Sequence, residues 1–164
     1  MVQSKHKGNA FERQVCGILK ERFNQPFNRV PTSGAIGTAQ KDILTEEAKG
    51  ILTGDIICPK NFRFSVECKS RKEFSLWGLL GDAKETEWLD WWKQACEDAH
   101  RANKQPIVIV KYNNRKILAF IDGENEAILY NASIRFVRYE DFLVCLLDNI
   151  LKFPNESFFK PQQS

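Results

Sequence analysis

The sequence predicts an α/β fold in which a mixed central β-sheet is flanked by helices. Three observations carry that expectation. Apolar residues recur at helical spacing in 7–23 and again in 87–103. Residues 62–69 alternate strictly between apolar and polar, the mark of a strand with two different faces. The run IVIVKY, following Pro106, is apolar on both faces and suits a strand central in a sheet. Helix, strands, helix, strands, helix is the order of a layered α/β sandwich. With 164 residues, 43% of them hydrophobic, the chain can bury one core and is short for two. Residues 1–153 are taken as that single domain and 154–164 as a C-terminal tail, in which Phe158 and Phe159 can dock.

The first helix spans Lys7 to Phe23. Phe11, Val15, Cys16, Ile18, Leu19 and Phe23 fill one arc of its wheel, and Arg13, Gln14, Lys20 and Glu21 fill the other. Glu12 falls inside the apolar arc, where a carboxylate is costly unless it is paired or bound to a cation. An acid near a helix start, satisfied by backbone amides or by a neighbouring arginine, accounts for the same position. Phe27 to Val30 reads as a short strand. Pro31 to Gly54 is a long connection with a short helical piece near Glu46 to Lys49; connections of this length are uncommon in compact domains unless they are functional or disordered. Within it Ser33 and Gly34 offer a hydroxyl and a free amide near phosphate, although such a stretch is usually just a turn.

A hairpin of two short strands follows, over GDIICPKNFRFSVECKSR. Phe62, Phe64, Val66 and Cys68 face one way, and Arg63, Ser65, Glu67 and Lys69 the other. Residues 73–84 are mixed, with Trp77, Leu79 and Leu80 packing down. In 87–103, Trp88, Trp91, Trp92, Ala95, Cys96, Ala99 and Ala102 share one side; that spacing favours core packing over base stacking for the tryptophans. Asn113 and Asn114 turn the chain into a strand over Lys116–Ile121, and Asp122-Gly123 turns it again. Ile134–Val137 adds a last strand. Tyr139 to Leu151 reads as a final helix, with Phe142, Leu143, Leu146, Leu147 and Ile150 as its stripe.

The net charge of +3 is modest, and its distribution is more informative. Residues 1–29 hold six basic residues against two acids, residues 60–72 hold five against one, and 85–98 is acidic. Such segregation suits one polyanion-binding face, while solvated surface gives the same pattern. The five cysteines are odd in number, form no CxxC and lie in apolar patterns, as reduced core thiols do. With two histidines, a zinc site is not expected. No signal-peptide core or 18-residue apolar run is present, so no membrane association and a cytoplasmic location are expected.

Glu67 and Lys69 stand on one strand face, roughly 6.5–7 Å apart along it. With Asp55 at the start of the preceding strand they make a set that can hold a divalent metal against a phosphate. In that reading Asp55 and Glu67 share Mg²⁺, for which Mn²⁺ substitutes, and the main-chain carbonyl of Cys68 is a further ligand. Lys69 orients water or neutralises charge on the phosphate, and Glu12 binds a second metal or a water. A turn aspartate and an exposed Glu–Lys ladder explain the spacing too, because chance supplies it often. The alternation, the core-facing Glu12 and the basic flanks favour chemistry. Lys7, Arg13, Arg29, Arg71 and Lys72 are candidates for positioning DNA phosphates, with ordinary solvated charge as the alternative.

The runs GNAFERQVCGIL, RVPTSGAIG, GDIICP and FSVECKSR resemble Holliday junction resolvases of the archaeal and phage type, members of the PD-(D/E)xK nuclease superfamily. The likeness spans roughly Lys7 to Tyr112. It implies a restriction-endonuclease-like core whose metal site is Glu12, Asp55, Glu67 and Lys69, with Ser33 as a further catalytic residue. It also implies a phosphate or water contact for Gln94, which periodicity alone does not single out. A homodimer cutting branched DNA is implied as well, in a bacterial, archaeal or phage-infected cell. Two departures stand out: the connection from Ser33 to Asp55 is longer than compact archaeal resolvases need, and Gly54 replaces the proline of the motif. The leading expectation is a Mg²⁺-dependent, structure-selective endodeoxyribonuclease resolving four-way junctions. A restriction- or repair-type endonuclease, a non-catalytic DNA-binding module, and a cysteine nucleophile at Cys58 or Cys68 are the alternatives.

Overall fold

The computed structural model describes residues 2–31, 53–74 and 87–161, with side chains from Gly8 onward. Helix α1 runs Val2–Phe23 and stops where Asn24 turns left-handed, at φ 50°, and its amide donates back to the Lys20 carbonyl at 2.9 Å. Two short strands, β1 (Asn28–Arg29) and β2 (Ile56–Ile57), pair antiparallel. Strand β3 (Phe64–Arg71) leads through helix α2 (Glu87–Arg101) to β4 (Gln105–Tyr112), which lies parallel to it. A parallel pair needs a crossover, and α2 supplies one.

The remaining strands are antiparallel: β5 (Leu118–Asp122), β6 (Phe136–Tyr139) and β7 (Phe142–Leu146). Together they form a five-stranded sheet in the order β3-β4-β5-β7-β6. Helices α3 (Glu126–Asn131) and α4 (Leu147–Ile150) are short. The mixed sheet with helices packed on it is the architecture the sequence predicts.

Alternation along β4 divides the core into two layers. Ile107 and Ile109 pack with Phe11, Val15 and Leu19 of α1, while Val108, Val110 and Tyr112 pack with Trp88, Trp91 and Trp92 of α2. The tryptophans are therefore core residues, and the buried Trp88 indole donates to the Tyr112 hydroxyl at 2.8 Å. Val66 of β3 joins the α1 layer, with Cys68 packed against it. The opposite alternation on β3 sets Glu67 and Lys69 toward α2, in register with Val108 and Val110.

The C-terminal third corrects two expectations. The helix expected over 139–151 is instead the end of β6, all of β7 and the single turn α4. Strand β7 lies between β5 and β6 and is covered on both faces: Phe142 and Val144 enter the α2 layer, Leu143 and Cys145 the α1 layer. A strand apolar on both faces has no period-2 signal, and its FLVCLL run imitates a helical stripe. The strand expected over 134–137 is β6, which begins at Phe136 rather than Ile134, and α3 was not expected.

Phe158 and Phe159 dock as anticipated. The Phe158 carbonyl accepts from the Arg63 amide at 2.8 Å, Phe159 bridges to Phe62, and both rings join Phe23 and Phe62. All five cysteines are free. Among the described residues no helix is long and apolar enough to cross a membrane.

Candidate active site

The site is assembled on the outer side of β3, an edge of the sheet. Gly54 makes the approach possible. Its φ is +77°, and a Cβ at this position would lie 2.5 Å from the Val66 carbonyl oxygen and 3.1 Å from Ser65 Oγ. A proline, with φ held near −65°, cannot take that conformation, so the departure from the motif has a local structural cause. The turn lets the Asp55 amide donate to the Val66 carbonyl at 2.9 Å. The Asp55 carbonyl accepts from the Val30 amide at 3.0 Å, which ties the segment to β1.

Asp55 Oδ2 then accepts from the Cys68 amide at 2.9 Å. In a strand the N–H and C=O of one residue point to the same side. The Cys68 carbonyl therefore faces the same outer edge as the Asp55 carboxylate.

Glu67 and Lys69 reach this edge from the α2 side. Lys69 Nζ lies 3.3 Å from Glu67 Oε2 and donates to Gln94 Oε1 of α2 at 3.1 Å. Glu67 is 4% exposed. Burial raises its proton affinity most, and the Asp55 charge adds to this; against the opposing pull of Lys69 the carboxyl is pushed up to about 8. Burial also raises Asp55, with the Cys68 amide and Lys69 working the other way. Two acids held together out of water bind a proton more readily than either does alone. A divalent cation neutralises such a pair more completely than one proton.

Glu12 is buried as its place in the apolar arc predicts, but it is already engaged. Arg29 Nε lies 2.5 Å from Glu12 Oε2. Burial raises the Glu12 carboxyl, Arg29 eases that shift, and the Asp55 charge adds to it. Glu12 thus lies close enough to the site to feel the Asp55 charge, with Oε2 paired to Arg29. Among the described residues no three of His, Cys, Asp and Glu converge closely enough to enclose an ion. Mg²⁺ is commonly held by one or two carboxylates together with substrate phosphate and water. The Asp55–Glu67 pair with the Cys68 carbonyl meets that requirement.

The structure therefore brings together Asp55, Glu67, Cys68, Lys69 and Gln94, and sets Glu12 beside them with Arg29 as its partner. Arg71 continues the β3 row: its guanidinium lies 4.8 Å over Trp91 and its Nε donates to Glu87 at 2.9 Å. Arg13 and Lys72 are exposed. Ser33 lies outside the described residues, as do the Lys7 side chain and the expected helical piece at 46–49. Trp77, Leu79 and Leu80 are outside them too.

Asp98 was missed. It adds negative field at both Asp55 and Glu67 and is paired to Arg101. Its spacing, one helical turn beyond Gln94 on α2, is the signal that could have found it. The cysteine-nucleophile alternative gains no support: burial pushes the Cys58 thiol up to about 12, and burial together with the Asp55 and Glu67 charges holds the half-buried Cys68 well above the ordinary range. Thiols so far from ionising are inert.

A family model described as "Phage putative PDDEXK endonuclease" matches residues 3–160. Protein D14 of Escherichia phage T5 is 29% identical over 128 residues, which is 76% of this chain and 74% of that protein. Among solved structures, Hjc of Archaeoglobus fulgidus, a Holliday junction resolvase, is 18% identical. That match covers 87% of this chain and 86% of the resolvase, with a TM-score of 0.41.

Proposed function

The chain belongs to the phage PDDEXK endonuclease family, and from that premise we propose that it is a Mg²⁺-dependent endonuclease cutting branched DNA as a homodimer. The observation that carries the chemistry is the Asp55–Glu67 carboxylate pair, desolvated at the edge of β3 and flanked by Lys69. Asp55, Glu67 and the Cys68 carbonyl would hold Mg²⁺, or Mn²⁺ in its place. When bound, the cation would polarise the scissile phosphodiester and offset its charge.

The chain's own residues do the rest. The Cys68 amide fixes one oxygen of Asp55, so the carboxylate is oriented before substrate arrives. Gln94 and Glu67 together aim the Lys69 ammonium at the edge where the phosphate must lie. A pre-aimed cation stabilises charge that grows on phosphoryl oxygens without reorganising during the reaction. Glu12 and Ser33 are assigned supporting roles around that centre. Arg13, Arg29, Arg71, Lys7 and Lys72 are the candidates that would position DNA phosphates. A phage family fits action in the cytoplasm of an infected host cell, in recombination or genome processing.

Cleavage assays test the reading. Purified protein with Mg²⁺ is expected to nick a synthetic four-way junction symmetrically, and EDTA to abolish the reaction. Equal rates on junction and linear duplex would remove the branch preference and leave a general endonuclease. Sequence-dependent cutting of duplex would indicate a restriction- or repair-type enzyme. Metal-independent DNA binding with no cleavage of either substrate would leave only a DNA-binding module.

A further inference from the structure

Beyond Lys69 and Arg71 the α2-facing row of β3 opens into a cleft of about 700 Å³ of which the chemistry above uses only Lys72. Its floor is aromatic. Phe74 leans on Trp88 at 5.6 Å between ring centroids and meets Tyr112 edge-on at 5.5 Å. Trp88 and Tyr112 are 7% and 6% exposed, whereas Phe74 is 45% exposed. The two inner rings are core; the outer one is partly open and lines the cleft.

Three exposed cations, Lys72, Arg115 and Lys116, rim the cleft against one acid, Glu73. None of the three cations is in an ion pair with a described residue. Exposed cations around a part-open aromatic ring are the recognition chemistry of a nucleotide: a π-face for the base and ammonium or guanidinium groups for the phosphates.

The cleft is also in line with the carboxylates. In the β3–β4 register Lys69 stands beside Val110 and Arg71 beside Tyr112. Tyr112 is thus two residues further along the sheet than Lys69, and Phe74 is five residues on in the chain. At a strand rise of about 3.3 Å the Tyr112 end of the cleft lies roughly 7 Å along the sheet from Lys69. With roughly 3.4 Å per stacked nucleotide, that is on the order of two or more nucleotides from a phosphate held at Lys69.

We propose that this cleft captures an unpaired base of the substrate strand, stacking it on Phe74 while Lys72, Arg115 and Lys116 hold the flanking phosphates. The inference rests on the nuclease reading and extends it by naming a substrate feature: an unpaired nucleotide a few residues from the cut. Base-paired DNA keeps its bases in the stack, so a gap or single-stranded stretch fills the cleft directly, and a four-way junction does so through a base pair that opens beside the crossover. Its effect belongs in affinity for such substrates.

The test is DNA binding without metal. Wild-type protein and Phe74→Ala, in EDTA at fixed salt, are titrated with a four-way junction, a gapped duplex and a linear duplex. Phe74→Ala is expected to lose on the order of tenfold to a hundredfold affinity for gapped or branched DNA and little for linear duplex. Phe74→Trp is expected to restore it, and unchanged melting of each variant excludes misfolding. An abasic nucleotide placed successively one to six positions from the cut should weaken wild-type binding at one position and leave Phe74→Ala unaffected there.

Equal losses on all three DNAs, no loss on any, or abasic effects identical in both proteins would overturn the proposal. Cleavage of the same DNAs in Mg²⁺ keeps the two readings apart. Cutting without a Phe74 effect removes only the base-capture site. A Phe74 effect without cutting removes only the nuclease reading.

Discussion

Strands β3 and β6 both end the five-stranded sheet, yet their outer sides carry different chemistry. Along β3 the outward Val66 carbonyl and Cys68 amide are taken by Asp55, and a buried acid stands between them on the same strand. Along β6, Val137 is 60% exposed, and Arg138 is engaged by Glu126 of α3. Charge and a short length are ordinary ways to blunt an edge strand, and β6 uses both. The β3 edge does the opposite, drawing carboxylates out of water at a cost in stability. That cost marks β3 as the working edge.

Substitutions on the two edges should therefore act very differently. The largest effect is expected at Asp55. Asp55→Asn preserves its shape while removing charge from the proposed cation site, and DNA cleavage should fall by roughly 10³-fold. Binding to the same DNA in EDTA should persist, as a gel-shift titration beside the cleavage assay will show. Lys69→Ala should lose about 10²–10³-fold by the same assays.

Gly54→Ala comes next. The φ of +77° and the 2.5 Å approach to the Val66 carbonyl leave no place for a methyl group. A cost of at least about 2 kcal/mol, or roughly 4–8 °C in melting temperature, is expected. Cleavage should drop about 10²-fold as Asp55 shifts from the edge.

A smaller effect of opposite sign is expected from Glu67→Gln in metal-free protein. The Glu67 carboxyl is raised from the ordinary 4.5 to about 8 in the folded chain. Between those values the folded state binds more protons than the unfolded state, so stability falls as pH rises through that window. Glutamine cannot ionise and escapes the loss. At pH 9 without metal the variant should melt about 2–4 °C above wild type, on the order of 1 kcal/mol. At pH 4, where Glu67 is protonated in the folded chain and mostly so in the unfolded one, the two should melt within about 1 °C of each other, and thermal scans at the two pH values check both. The smallest effect belongs to β6: Val137→Thr should change stability by no more than about 0.5 kcal/mol and leave cleavage unchanged. A Val137 effect on cleavage comparable with that of Gly54 would break the contrast between the edges.

Much of the working edge is legible in the sequence because its signals are local. Strict alternation over 62–69 places Glu67 and Lys69 on one face, and both lie there, toward α2. Glu12 stands out because a carboxylate interrupts an apolar arc; its partner Arg29, seventeen residues away, is a contact that only folding reveals. Gln94 carries no periodic signal and entered through resemblance. Asp98 reads as one acid in an acidic run, and its field at the site depends on how α2 lies across β3.

The C-terminal strands are less legible for a different reason. Burial on both faces erases the period that separates strand from helix, so Phe142–Leu146 fits either pattern until β5 and β6 are set beside it. Gly54 shows the intermediate case. A motif position that changes from proline to glycine is visible in the chain, but the positive φ that requires glycine is a property of the turn against β3.

The central claim is that Asp55 and Glu67 form the cation site of the nuclease, and Mn²⁺ locates it most directly. Crystals soaked in Mn²⁺ and measured for anomalous scattering should show a peak bounded by the Asp55 and Glu67 carboxylates and the Cys68 carbonyl. The peak should be absent from Asp55→Asn crystals soaked in the same way. A peak elsewhere, or none between these residues in crystals of a protein that cuts DNA in Mn²⁺, would contradict the account.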